Sequence, residues 1–118
     1  MRRDRALLDD MIEAAASIGA IAAQTNFKRL LPDEVPKAAI LHHLTVIGEA
    51  AGRVSSELRE RYPAIPWNQI MAQRNRVVHE YFGVDWALIW KTISEDLPVL
   101  RERLIEVHGI EFPESKDM

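Results

Sequence analysis

Ile40-Leu41-His42-His43-Leu44-Thr45-Val46-Ile47-Gly48-Glu49-Ala50-Ala51-Gly52-Arg53-Val54-Ser55-Ser56-Glu57-Leu58 is the stretch on which the fold turns. Ile40, Leu44, Ile47, Ala51, Val54 and Leu58 recur at alternating spacings of four and three, the signature of one buried helical stripe. A second flank carries Thr45, Gly48, Gly52 and Ser55, all small. Glycine in mid-helix costs up to about 1 kcal/mol, and close approach of another backbone is the natural reason to keep two of them. A helix with two buried flanks belongs at the centre of a bundle or in a dimer interface. We expect it to open at Asp33 or Val35, with Pro36 in its first turn, and to run unbroken through Leu58.

The flanking sequence supplies its neighbours. Leu8, Met11 or Ile12, Ala15, Ile18 and Ala22 predict a first helix over about 3–23, narrow because of its many alanines and Gly19. Thr25 is placed to cap a short turn carrying Phe27, Leu30 and Leu31, which Pro32 ends. Tyr62-Pro63-Ala64-Ile65-Pro66 breaks the pattern, and Pro66 suits the start of a helix reaching about Tyr81. Gly83 stops that helix and Asp85 caps the last one. Trp86, Trp90 or Ile89, Ile93, Leu97, Leu100, Leu104 and Val107 keep one phase across Pro98, which predicts a single kinked helix closed by Gly109. Strand alternation and internal repeats are missing from the sequence. The expected fold is all-α, an antiparallel bundle of four to five helices in one domain over 1–109, with a flexible tail over 110–118.

Composition narrows the chemistry. The 118 residues include no cysteine, which excludes disulfides, thiolate metal sites and cysteine nucleophiles, and a reducing cytoplasm is the expected location. No apolar run approaches membrane-spanning length, so no membrane partner is expected. Net charge is −3, which argues against an obligate nucleic-acid binder, yet residues 53–76 hold five arginines against two glutamates. Arg53, Arg59, Arg61, Arg74 and Arg76 make a basic zone on an acidic protein, able to hold a phosphate backbone locally. A solvated arginine-rich helix end explains the same zone equally well. His42 and His43 are adjacent and diverge by about 100°, which disfavours a shared metal.

Within the basic zone one helix departs from its own pattern. Trp67, Ile70, Met71, Val77, Val78 and Phe82 share an apolar arc, and Arg74 and Tyr81 fall inside it. A guanidinium there is costly unless an anion meets it. Arg74 could serve a structural ion pair with Glu49 or an acid of the last helix, or it could meet a phosphate. RNA cleavage by the neighbouring 2′-hydroxyl requires a base near neutral pKa, an acid and a fixed cation, and no cofactor or metal. His79 carries an imidazole, and the Arg74 fork matches phosphate oxygens. The two are about 140° apart on a straight helix. A two-fold dimer would reconcile them and supply a second imidazole. Asn75 could orient His79 or bind phosphate, and the Tyr81 hydroxyl could donate to a phosphate oxygen. The tryptophans lie on core stripes and read as packing.

Arg74, four residues, His79, one residue and Tyr81 resemble the signature of the HEPN superfamily. Ile47-Gly48-Glu49-Ala50, Pro66-Trp67, Arg74-Asn75, His79-Glu80-Tyr81-Phe82-Gly83 and Asp85 are similar to the HepT-like toxins, over about residues 6–107. That family often has Gly-Met before the Arg-Asn pair, where this chain has Ala72-Gln73. The resemblance implies an all-α homodimer acting as a metal-independent endoribonuclease, with catalytic Arg74 and His79 and supporting Asn75, Tyr81 and Glu49. It also implies a nucleotidyltransferase antitoxin partner, in a dimer or a higher assembly, that silences the toxin by attaching AMP to Tyr81. A different class of function fits the same residues: a catalytically silent binding module that docks on a minimal nucleotidyltransferase.

Overall fold

The computed structural model describes residues 2–113, and every regular element among them is helical. Helix α1 is Arg2–Ala23, α2 Phe27–Leu30, α3 Glu34–Arg53, α4 Ser56–Arg61, α5 Trp67–His79, α6 Trp86–Lys91 and α7 Leu97–Glu111, with a π-helical turn over Thr92–Asp96 between the last two. Helix α3 packs on α1 and on α5, and α1 packs also on α7. Each pairing is antiparallel. The Asp4 side chain meets Ser55, Gly48 faces Arg74 while Gly52 faces Met71, and Asp9 lies beside His108. The architecture is the expected all-α antiparallel bundle.

The core follows the stripes. All six residues of the stripe from Ile40 to Leu58 are buried, as are Leu8, Met11 and Ile18 of α1 and Leu104 and Val107 of α7. Each of the larger aliphatic side chains contributes about 1.5–3 kcal/mol by leaving water. Of the two alternatives on α6, Ile89 is buried and Trp90 only partly so, packed against Phe27. Leu100 is half-buried at the edge of a cleft of about 460 Å³ between α5 and α7.

The helix expected to run unbroken to Leu58 is interrupted. Val54 turns extended (φ −61°, ψ 140°) and Ser55 starts a new helix, its Oγ accepting from the Leu58 N–H at 3.2 Å. Asp4, buried at the start of α1, fixes the joint by accepting from the Ser55 N–H at 2.8 Å and its hydroxyl at 2.6 Å. Val54 and Leu58 remain buried on either side, which is why the periodicity showed no break.

Other boundaries shift for local reasons. Asn26, not Thr25, caps α2, its Oδ1 accepting from the Arg29 N–H at 2.9 Å. Helix α5 stops at His79, two residues before the expected Tyr81, and the turn after it closes with the Gly83 N–H on the Glu80 carbonyl at 2.8 Å. Asp85 caps α6 as expected, accepting from Leu88 N–H. Ahead of Pro98, which lacks a donor, the backbone widens into the π turn, with Leu97 N–H reaching the Thr92 carbonyl. Helix α7 passes Gly109 and ends at Glu111, so the start of the expected tail is helical, and residues 114–118 lie outside the described residues. Among the described residues no helix is long and apolar enough to cross a membrane.

Candidate functional site

Helix α5 carries Arg74 onto the small flank of α3. The Arg74 Cβ sits so close to Gly48 that a Cβ added to the glycine would lie 2.1 Å from it, and the Ile70 carbonyl would be 3.3 Å away. The glycine is therefore a requirement of this approach. From there the guanidinium reaches the rim of α3. Its Nη2 donates to Glu49 Oε1 at 3.1 Å and its Nη1 to Asn75 Oδ1 at 2.9 Å, while Nε is buried without a partner. The partner is Glu49, which settles the sequence alternatives against an acid of the last helix. With side-chain exposures of 32% for Arg74 and 55% for Glu49, the pair faces solvent and a competing anion can reach it.

Arg74, Glu49 and Asn75 share a shallow cleft of about 360 Å³ between α3 and α5, floored by Gly48, Gly52 and Met71. Arg53 lines the same cleft. The sequence reading placed Arg53 in the basic zone and did not assign it to this site, although it lies one turn after Glu49 and next to Gly52. His79 and Tyr81 do not line this cleft. His79 is exposed on the last residue of α5, and Tyr81 lies in the following turn, 43% exposed, edge-on to Phe82 at 5.2 Å. Phe82 is fully exposed and Val78 nearly half so. The end of the apolar arc therefore faces outward in a single chain instead of entering the core.

The basic zone is partly neutralised. Arg61 donates to both carboxylate oxygens of Glu111, which also accepts from the Tyr62 hydroxyl. Arg61, then Tyr62, hold the Glu111 carboxyl below the usual carboxylate range, and the same carboxylate pushes the Tyr62 hydroxyl up. Among the other notable aromatics, Trp67 is buried with Nε1 donating to the Tyr62 carbonyl at 3.1 Å, and Lys37 lies over the partly buried Trp86. These are packing roles. His43, beside His42, has its pKa lowered by burial and then by that neighbour.

The family model described as Ribonuclease HepT-like matches residues 11–107, a span that includes Glu49, Arg74 and His79. The chain belongs to this family. Relatives of this HepT-like chain include "Probable ribonuclease HepT" of Thermococcus cleftensis, 33% identical over 100 residues, covering 85% of this chain and 91% of the relative. "Putative RNase MJ1380" of Methanocaldococcus jannaschii is 30% identical over 104 residues, with 87% and 95% covered. "Putative RNase TTE0752" of Caldanaerobacter subterraneus is 30% identical over 107 residues, with 91% and 96% covered. No solved structure gives a significant match.

Proposed function

We propose that this HepT-like protein is a metal-independent endoribonuclease toxin whose active centres are composite, with Arg74 of one copy and His79 of another facing a common cleft in a two-fold dimer. The observation that carries the reading is Arg74 itself: a fixed guanidinium with solvent access on one face of α5, and an exposed imidazole at the end of the same helix on a different face. One chain cannot aim both at one phosphate by helix geometry alone, whereas two copies can. The exposed Val78 and Phe82 beside His79 give such a pairing an apolar contact.

In the reaction, the 2′-hydroxyl oxygen attacks the adjacent phosphorus while one imidazole takes its proton. The bond to the 5′-oxygen breaks, and a second imidazole protonates that leaving oxygen. The products are a 2′,3′-cyclic phosphate and a 5′-hydroxyl end. Arg74 moves from Glu49 to the phosphate oxygens, where its two-pronged geometry meets the charge that builds in the transition state. Asn75 holds the guanidinium during the exchange. Family resemblance and the accessible Tyr81 support silencing by a nucleotidyltransferase antitoxin: the Tyr81 oxygen attacks the α-phosphorus of ATP, pyrophosphate leaves, and the hydroxyl proton passes to solvent.

Purified protein given an unstructured RNA in EDTA should yield 2′,3′-cyclic phosphate ends, and His79→Ala should abolish them. Undiminished cleavage by His79→Ala would falsify the mechanism. The engagement of Arg74 by Glu49 and Asn75 favours a second reading, a silent module that presents Tyr81 to a nucleotidyltransferase. That module would leave RNA intact yet gain AMP mass with its partner and ATP, a gain lost in Tyr81→Phe.

A further inference from the structure

The arginines of the basic zone are not equivalent. Arg61 is bound to Glu111 and Arg74 to Glu49. Arg53 and Arg59 have no carboxylate partner among the described residues, and the Arg59 Nε is buried without any hydrogen bond. Both line clefts on the seam where α5 meets the α3–α4 joint: Arg53 the cleft that also holds Arg74, and Arg59 a neighbouring one of about 550 Å³ that reaches Asn68. On α5, Asn68, Met71 and Asn75 succeed one another by three and four residues, so the two clefts follow one helical face.

We propose that this seam is a track for the backbone of single-stranded RNA, with Arg53 and then Arg59 holding successive phosphates on one side of the bond presented to Arg74. The inference rests on the reading that RNA is the substrate. From Asn68 to Asn75 the track runs about 10 Å, the length of about three stacked nucleotides. Its walls offer cations and amides with one carboxylate in each cleft, Glu49 and Glu60, and no exposed aromatic ring, since Trp67 is buried. Such a surface follows the phosphates and is tolerant of base sequence. The break in the long helix has a use here: ending α3 at Arg53 and restarting at Ser56 turns Arg59 towards the foot of α5.

The test measures binding of a short 2′-O-methyl oligouridylate, which cannot supply the attacking hydroxyl, as a function of salt. Arg53→Ala and Arg59→Ala should each flatten the slope of log affinity against log salt by about 0.7, and the double variant by about 1.4. Arg53→Lys and Arg59→Lys should keep the wild-type slope, and Lys91→Ala, an equal loss of charge away from both clefts, should leave it unchanged. Circular dichroism establishes that each variant is folded; if Arg59→Ala is not, Arg59→Gln replaces it. Slopes unchanged in both arginine variants, an equal effect of Lys91→Ala, or equal affinity for an RNA duplex would each overturn the track. Cleavage of unmodified oligouridylate, scored separately, reports on the nuclease reading: wild type that binds with these slopes but does not cut retains the track and loses the nuclease.

Discussion

At Gly48 the backbone of α3 yields to a side chain of α5. A methyl group there has nowhere to go, since it would meet the Arg74 Cβ at 2.1 Å with the Ile70 carbonyl close behind. Gly48→Ala should destabilise the protein by about 1–3 kcal/mol in urea unfolding, through overpacking, and should depress cleavage by moving Arg74 off its perch. Arg74→Ala should behave in the opposite way: the fold should hold within about 1 kcal/mol, because the Glu49 left behind is half exposed and stays hydrated. Activity should vanish all the same. Asp4 carries a purely structural burden. Its carboxylate satisfies both the Ser55 N–H and the Ser55 hydroxyl, so Asp4→Ala should cost about 1–3 kcal/mol by stranding a backbone donor at the α3–α4 joint.

Among the elements, the ends of α4 and α7 are fastened together by Arg61, Tyr62 and Glu111. The folded Glu111 carboxyl titrates below its ordinary value of 4.5, so its contribution is present in full above that value and is lost as pH falls through the lowered folded one. Stability measured from pH 6 down to pH 3, a range chosen at roughly one to two units either side of the ordinary carboxylate value, should fall less steeply in Glu111→Gln than in wild type. Periodicity made the four long helices legible, because a stripe such as Ile40, Leu44, Ile47 and Ala51 has only one way to be buried. It could not reveal the break at Val54, since Asp4 imposes it from fifty-one residues away while the stripe keeps its phase on both sides. The π turn escaped for a related reason: one extra residue per turn ahead of Pro98 selected Ile89 over Trp90, a choice the sequence had left open. In the site, the Arg74–Glu49 contact was legible as one of three alternatives, because an arginine in an apolar arc demands an anion. Arg53 was not, because an exposed arginine at a helix end looks like simple dipole compensation until the cleft around it is seen.

For the whole molecule, the separation of Arg74 and His79 makes a statement about assembly. If centres are shared between copies and each uses both imidazoles, mixing wild type with an equal amount of His79→Ala should leave every mixed dimer silent, and roughly a quarter of wild-type activity should remain on random exchange. About half of the activity remaining would place all the groups in one chain. Phe82→Glu should lower self-association in sedimentation velocity and reduce cleavage in proportion, since a fully exposed ring beside His79 is the natural contact. Both fastenings of the bundle, Asp4 to Ser55 and Glu111 to Arg61, sit at the two ends of the same short helix. The first turn of α1 and the last turn of α7 are thereby brought to one pole of the molecule. A circular permutant that bridges them with a glycine-serine linker and opens the chain at Gln24–Thr25, at the far end of α1, should therefore fold and keep its charged cleft undisturbed.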